Sequence, residues 1–174
     1  MNFVRFVMLL ALTVWLGALT FFPIVAQTSF SVLPSSHLAG LVVRASLIKL
    51  HWMGLGCGSV FLLCSWINNH LQPGRTRTFT LSHIAIALMV TLTAISQFTV
   101  IPRMDSLRGQ AGEIAALPVS DPIRAQFDSL HVWSTRIEFL VLLLGLMALY
   151  FTSRRLVSTS RVINEKSFNL NTTA

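Results

Sequence analysis

Residues 131–151 read HVWSTRIEFLVLLLGLMALYF. In the predicted span 132–151, Arg136 and Glu138 are the only charged residues. At a rise of about 1.5 Å per residue, a helix of this length crosses the roughly 30 Å hydrocarbon core of a bilayer. This segment is therefore predicted to be a transmembrane helix that carries a carboxylate at membrane depth.

Three earlier segments of similar length and composition make the chain an integral membrane protein. They lie at about 6–26, 46–67 and 79–101, and Pro102 is expected to end the third. The chain is 53% hydrophobic and 11% charged, whereas soluble domains are about 25% charged. The predicted fold class is all-α: a four-helix transmembrane bundle, antiparallel up-down, with short interfacial helices in the outer loops.

One transmembrane domain, residues 1–153, is expected, followed by a basic, flexible cytoplasmic tail at 154–174. Seven Lys and Arg residues lie on the side of the termini and five on the other side. This bias predicts that both termini are cytoplasmic, in a bacterial inner membrane. The first segment is too long for the apolar part of a secretory signal, so it is expected to remain as a helix.

The two outer loops contain helix signals of their own. A serine after Pro34 can cap a short amphipathic helix over residues 37–45. Asp121 followed by Pro122 is typical of a helix start, so the fourth helix should begin before the membrane. The connection between the third and fourth spans is too long to be structureless, and a short helix is predicted over about 103–117.

Antiparallel threading brings polar side chains from three helices to one end of the bundle. They are His51 on helix two, Gln97 and Arg103 at the end of helix three, and Asp128, His131, Ser134 and Glu138 on helix four. On helix four, the spacing of Asp128, His131, Thr135 and Glu138 puts all four on one face. Because ionisable groups at membrane depth are costly, this cluster is the candidate site.

Other patterns limit the function classes. Cys57 and Cys64 lie about 10 Å apart along one helix, which is too far for a disulfide. No CxxC, HExxH, P-loop or GxSxG pattern is present, so an enzyme is not favoured, although the question stays open. The net charge of +7 comes without a basic patch interleaved with aromatics, so no nucleic-acid partner is expected. Gly54-xxx-Gly58 predicts the close approach of another helix.

Several separated elements resemble the transmembrane-protein-205-like family. They are Trp15-Leu16-Gly17 with Phe22, His51-Trp52-x-Gly54, Ser96-Gln97-Phe98-x-x-Ile101-Pro102-Arg103-Met104, and Phe127-Asp128-x-Leu130-His131-x-x-Ser134-x-x-x-Glu138. This resemblance covers most of residues 7–152 and implies a small four-helix membrane protein in a family that largely lacks an assigned reaction. More distantly, the layout is similar to copper-resistance D-type proteins and to the membrane protoporphyrinogen oxidase that carries haem b.

Three functions follow as hypotheses. The first is a structural or accessory membrane subunit with a polar site at the outer face, in contact with lipid and with other subunits or further copies of itself. The second is haem b or copper binding through His51 and His131 in a redox or metal-handling role, since imidazole ligates both. If the histidines bind neither haem nor copper, each is expected to cap a helix end or to form hydrogen bonds at the headgroup boundary. The third is transport, which would require an oligomer because four helices make a small pore.

Overall fold

A computed structural model describes residues 2–70 and 81–172, with side-chain surroundings for 3–68, 70 and 81–154. The elements, in chain order, are α1 (Asn2–Val32), α2 (Ser36–His70), α3 (Leu81–Ile95), a π-helical turn (Ser96–Val100), α4 (Ile101–Ala111), a 3-10 turn (Ile114–Ala116) and α5 (Pro122–Thr172).

Four stretches are long and apolar enough to cross a membrane: Phe3–Val32, Ser36–Asn68, Leu81–Ala111 and Pro122–Arg154. Each packs against its neighbours in the chain, and α1 also contacts α5, which closes the ring of helices. Large apolar side chains such as Trp52, Phe98 and Leu143 point outward, as expected for a surface solvated by lipid. The predicted all-α four-helix transmembrane bundle is confirmed.

The residues predicted to form a separate helix at 37–45 are the first turns of α2. This helix has 35 residues, about 52 Å at 1.5 Å per residue, so it extends well beyond the hydrocarbon core. As expected, a serine caps it, because the backbone N–H of Leu38 donates to Ser35 Oγ at 3.2 Å.

The third crossing continues past Pro102, where the sequence predicted its end. In the π turn before it, the N–H of Ile101 donates to the carbonyl of Ser96, five residues back. Pro102 then falls in the first turn of α4, where a helix tolerates the missing N–H. The short helix predicted over 103–117 appears as the rest of α4, which ends at Gly112 with a φ of 69°.

α5 begins at Pro122, and the N–H of Ile123 donates to Asp121 Oδ1 at 2.7 Å, as the sequence signal predicts. The helix runs on to Thr172, through most of the segment 154–174 that was expected to be a flexible tail. No glycine or proline interrupts the chain after Gly145. The flexibility of this tail stays a prediction.

The middle of the bundle is built around the indole of Trp15 in α1, which is buried against two glycines of α2. A Cβ at Gly54 would lie 2.7 Å from Trp15 Cε2, and one at Gly58 would lie 2.9 Å from Trp15 Cζ3. The predicted close approach at Gly54-xxx-Gly58 is therefore made by a side chain of α1. Cys57 and Cys64 are free, as expected.

Candidate functional site

The end of the bundle opposite to the N-terminus, called the distal end below, holds a buried imidazole that connects three helical elements. His51 of α2 is only 1% exposed. Its Nδ1 lies 2.9 Å from Gln97 Oε1 in the π turn, and its Nε2 lies 2.6 Å from Glu138 Oε1 in α5. These three residues, called the His51 cluster, were all among the residues singled out in the sequence.

The single imidazole of His51 contacts two other helical elements. Its Nδ1 faces the amide oxygen of Gln97, and its Nε2 faces the carboxyl group of Glu138. His51 and Glu138 thereby form a close, largely buried pair between α2 and α5. A pair of this kind holds helices in a defined register, because a buried polar group that loses its partner is costly.

The π turn accounts for the position of Gln97. A π turn contains one residue more than the equivalent α-helical turn and re-aims the side chains that it carries, often at functional sites. It also leaves two neighbouring hydroxyls, Thr93 Oγ1 and Ser96 Oγ, buried without a hydrogen-bond partner in the described part of the chain. The sequence offers no clear signal for this turn other than Pro102 shortly after it.

Beside the cluster, the distal end encloses a cavity of about 620 Å³. Its apolar wall comes from α1, with Leu19, Phe22, Pro23, Ala26 and Phe30. Its polar wall on α5 carries Asp128, His131, Ser134, Thr135 and Glu138. The predicted stripe of Asp128, His131, Thr135 and Glu138 therefore faces the cavity, and Glu138 links the cavity to His51.

Ser134 stands out on the polar wall. Its side chain is only 5% exposed, and it lines the cavity. Among the residues with described side chains it forms no hydrogen bond, not even to its own helix. Glu138 lies one turn further along α5 and engages a single oxygen, Oε1, with His51. This wall therefore presents polar groups that a bound molecule can satisfy.

An interhelical ion pair that sequence reasoning missed also lines the cavity. Arg44 of α2 donates from Nε to Asp105 Oδ1 at 2.5 Å and from Nη2 to Asp105 Oδ2. Arg108, one turn after Asp105 on α4, lies 3.8 Å from the same carboxylate. Arg44 is seven residues before His51, two turns away on the same helix face, and this spacing could have revealed it.

The remaining predicted site residues lie apart from the His51 cluster. Arg103 is exposed and forms no ion pair with any residue that the structure describes. Asp128 lies 4.0 Å from Arg124, one turn before it. Arg136 rests over the ring of Trp133 at 5.7 Å. Among the side chains that the structure describes, neither Arg103 nor Arg136 forms an ion pair with Asp128 or Glu138.

The two histidines proposed as ligands lie at the same end but at different depths. His131 is exposed on the cavity wall, seven residues or about 10 Å along α5 from Glu138, the partner of His51. Both nitrogens of His51 are engaged, so ligation would require it to release Gln97 or Glu138. Among the residues whose side-chain surroundings the structure describes, no three His, Cys, Asp or Glu side chains converge to hold a metal. Ligation of one ion or haem by both rings stays a prediction.

A second polar contact lies at the other end of the bundle, where Ser65 of α2 is hydrogen-bonded to His83 of α3. Nearby, His70 stacks on Trp66 with a centroid distance of 5.0 Å. His37, in contrast, lines the distal cavity.

Comparison with protein families matches residues 10–113 to a domain of unknown function, DUF4149. No curated protein and no solved structure matches the chain. The matched region runs from α1 to the end of α4. It therefore contains His51, Gln97 and the Arg44–Asp105 pair and stops before Glu138. Since the match covers more than half of the chain, the protein belongs to the family of the domain of unknown function DUF4149.

Proposed function

We propose that this protein is an accessory membrane protein that binds a small amphipathic molecule in its distal cavity. The observation that carries the proposal is the cavity itself. Its volume of about 620 Å³ falls within the range of about 300–1,000 Å³ for small-molecule sites. One wall is apolar, and the other carries Ser134 and Glu138 with hydrogen-bonding capacity left over.

The His51 cluster has a supporting role in this proposal. His51 uses both ring nitrogens inside the protein and holds Glu138 at the cavity wall. A side chain that is anchored in this way presents its remaining oxygen in a fixed position, which lowers the entropic cost of binding. Such an arrangement suits recognition better than a reaction that needs a free base or nucleophile.

The proposal includes an orientation. The excess of Lys and Arg on the side of the termini supports cytoplasmic termini, so the distal cavity would open on the outer face of a bacterial inner membrane. Its apolar wall and exposed surroundings would then meet the headgroup region, where amphipathic molecules are concentrated.

We also propose kinship with the transmembrane-protein-205-like family. The elements that carry the resemblance contribute Trp15 to the core, His51 and Gln97 to the cluster, and Ser134 and Glu138 to the cavity. Sequence elements that are far apart in the chain thus contribute residues to one site. This supports the proposal that members of the family share a binding function at this site.

Native mass spectrometry of the protein purified in mild detergent tests the proposed function. We expect a non-covalent adduct that is lost in Ala26→Trp, which fills the cavity from its apolar wall. The matched control is Val14→Trp on the lipid-facing side of the same helix, and it should keep the adduct. A wild-type protein without any adduct after growth and supplementation with membrane extract, or an adduct that survives Ala26→Trp, would overturn the proposal.

The same preparation tests the haem and copper alternative. A visible spectrum with a Soret band that disappears in both His51→Ala and His131→Ala would favour haem binding instead. Stoichiometric copper that is lost in the same two variants would favour metal handling. We expect neither, because His51 already has two internal partners.

A further inference from the structure

One charged group at the distal cavity lacks a hydrogen-bonded partner. Arg108 lines the cavity, and its side chain is 21% exposed. Its nearest carboxylate oxygen, on Asp105, lies 3.8 Å away, beyond hydrogen-bond distance. Asp105 already receives two hydrogen bonds from Arg44. In the part of the chain that the structure describes, the guanidinium of Arg108 makes no hydrogen bond.

The contacts that Arg108 does make leave its donors available. Its guanidinium lies over the ring of Phe127, 4.9 Å from the centroid. On α2, Gly40 is the nearby residue, and a Cβ there would lie 3.7 Å from Arg108 Nη2. Stacking engages the flat face of a guanidinium, whereas its N–H groups lie in the plane. The N–H edge that recognises carboxylate or phosphate therefore makes no hydrogen bond within the described part of the chain, although Asp105 Oδ1 lies 3.8 Å from Nη1.

The charges around the cavity favour an anion at Arg108 in particular. Arg44, Arg108 and Asp105 together carry one net positive charge. The other lining arginine, Arg124, is engaged elsewhere, since it donates to the carbonyl of Leu117 at 2.7 Å and lies beside Asp128. Two further carboxylates line the cavity. Glu138 is paired with His51, and Glu113 is exposed.

The apolar wall gives the size of the rest of the ligand. It runs along α1 from Leu19 to Phe30, about 16 Å at 1.5 Å per residue. Arg108 lies beside Gly40 in the first turns of α2, at the outer rim of the cavity. Leu19 and Leu142, which also line the cavity, lie further than Glu138 from this rim. A cavity of about 620 Å³ accommodates one acyl chain rather than the two chains of a diacyl lipid.

We infer that the distal cavity binds a single-chain amphiphile with an oxyanion headgroup, and that Arg108 binds the oxyanion. The chain would lie against the wall formed by α1, and the Ser134 hydroxyl could donate a further hydrogen bond. A fatty-acid carboxylate and the phosphate of a lysophospholipid share this chemistry. The inference rests on the proposed function and specifies its ligand class.

The test measures binding to the whole 174-residue chain in nanodiscs of zwitterionic lipid. The probes are palmitate, lysophosphatidic acid, palmityl alcohol as the uncharged counterpart, and inorganic phosphate alone. The test variant is Arg108→Gln, and the matched control is Arg124→Gln, which alters a cavity arginine that already has partners. Circular dichroism and size-exclusion profiles verify that each variant is folded.

We expect one or both charged amphiphiles to bind the wild type at least about tenfold more tightly than palmityl alcohol. Arg108→Gln should abolish this preference, whereas Arg124→Gln should change it by less than about twofold. Whether palmitate or lysophosphatidic acid binds more tightly distinguishes carboxylate from phosphate as the natural headgroup. Inorganic phosphate should bind far more weakly than either, because it lacks the chain.

Four results would overturn the inference. Equal binding of palmityl alcohol and the charged amphiphiles to the wild type would contradict the oxyanion claim. An unchanged preference for the charged amphiphiles in folded Arg108→Gln would contradict it too. Both results would leave the proposed function standing. Inorganic phosphate binding as tightly as lysophosphatidic acid would remove the claim of an apolar chain. No binding of any amphiphile to folded wild-type protein would contradict the proposed function itself.

Discussion

His51 of α2 and Glu138 of α5 are 87 positions apart in the sequence, yet His51 Nε2 lies only 2.6 Å from Glu138 Oε1. The imidazole is almost completely buried, and the carboxylate is partly open to the distal cavity. This contact joins α2 to α5, and the hydrogen bond to Gln97 adds the third crossing. The polar wall of the cavity is thus also part of one of the main polar connections of the bundle.

Removing one partner of this pair should destabilise the protein. We expect Glu138→Ala or His51→Ala to cost about 3–5 kcal/mol, because each leaves the other group buried and unpaired. Replacing both together, as His51→Phe with Glu138→Leu, should recover a large part of that loss. Thermal unfolding in detergent measures each variant against Glu113→Ala, an exposed carboxylate. Additive losses in the double variant would contradict the pairing.

The glycine at position 54 should tolerate no side chain. Gly54→Ala places a Cβ 2.7 Å from Trp15 Cε2, and overpacking of this kind typically costs about 1–3 kcal/mol. Gly56→Ala is the matched control two residues away, where no atom lies within 4 Å of the new Cβ. It should be neutral or slightly stabilising, because alanine favours the helix. Equal unfolding temperatures for the two variants would argue against the packing of Trp15.

The ion pair between Arg44 and Asp105 should contribute modestly to stability, because both side chains are about one-third exposed. Arg44→Ala and Asp105→Ala should each lower stability by about 1 kcal/mol. A double-mutant cycle should show coupling of similar size, reduced at high salt. Arg103→Ala, which removes an exposed arginine without an ion pair in the described chain, is expected to be neutral. Zero coupling would show that the two side chains do not interact.

The sequence alone predicted the four crossings, because runs of about 20 apolar residues have few structural alternatives. The helix start at Asp121 was predictable for a similar reason, since its side chain satisfies backbone donors locally. Antiparallel threading was enough to predict that His51, Gln97 and Glu138 share one end of the bundle. Antiparallel threading does not specify how each helix is rotated about its axis, or its depth in the membrane to within one turn. The difference in depth between His51 and His131 could therefore not be predicted.

The remaining differences between the prediction from sequence and the structure come from contacts between helices. Pro102 looked like a helix end, and only the π turn before it lets the third crossing continue into α4. The Arg44–Asp105 pair depends on that continuation, because it carries Asp105 along the distal part of α2. The cavity in turn depends on how α1 and α5 are spaced, which no local pattern encodes.

Photocrosslinking with a diazirine-labelled fatty acid tests the central claim, that the distal cavity binds an amphiphile, most directly. Peptide mapping after irradiation should place the label on cavity-facing parts of α1 and α5, such as Phe30 and Phe127, and excess palmitate should displace it. Labelling confined to lipid-facing residues such as Trp52 and Phe98, unaffected by palmitate, would contradict the account.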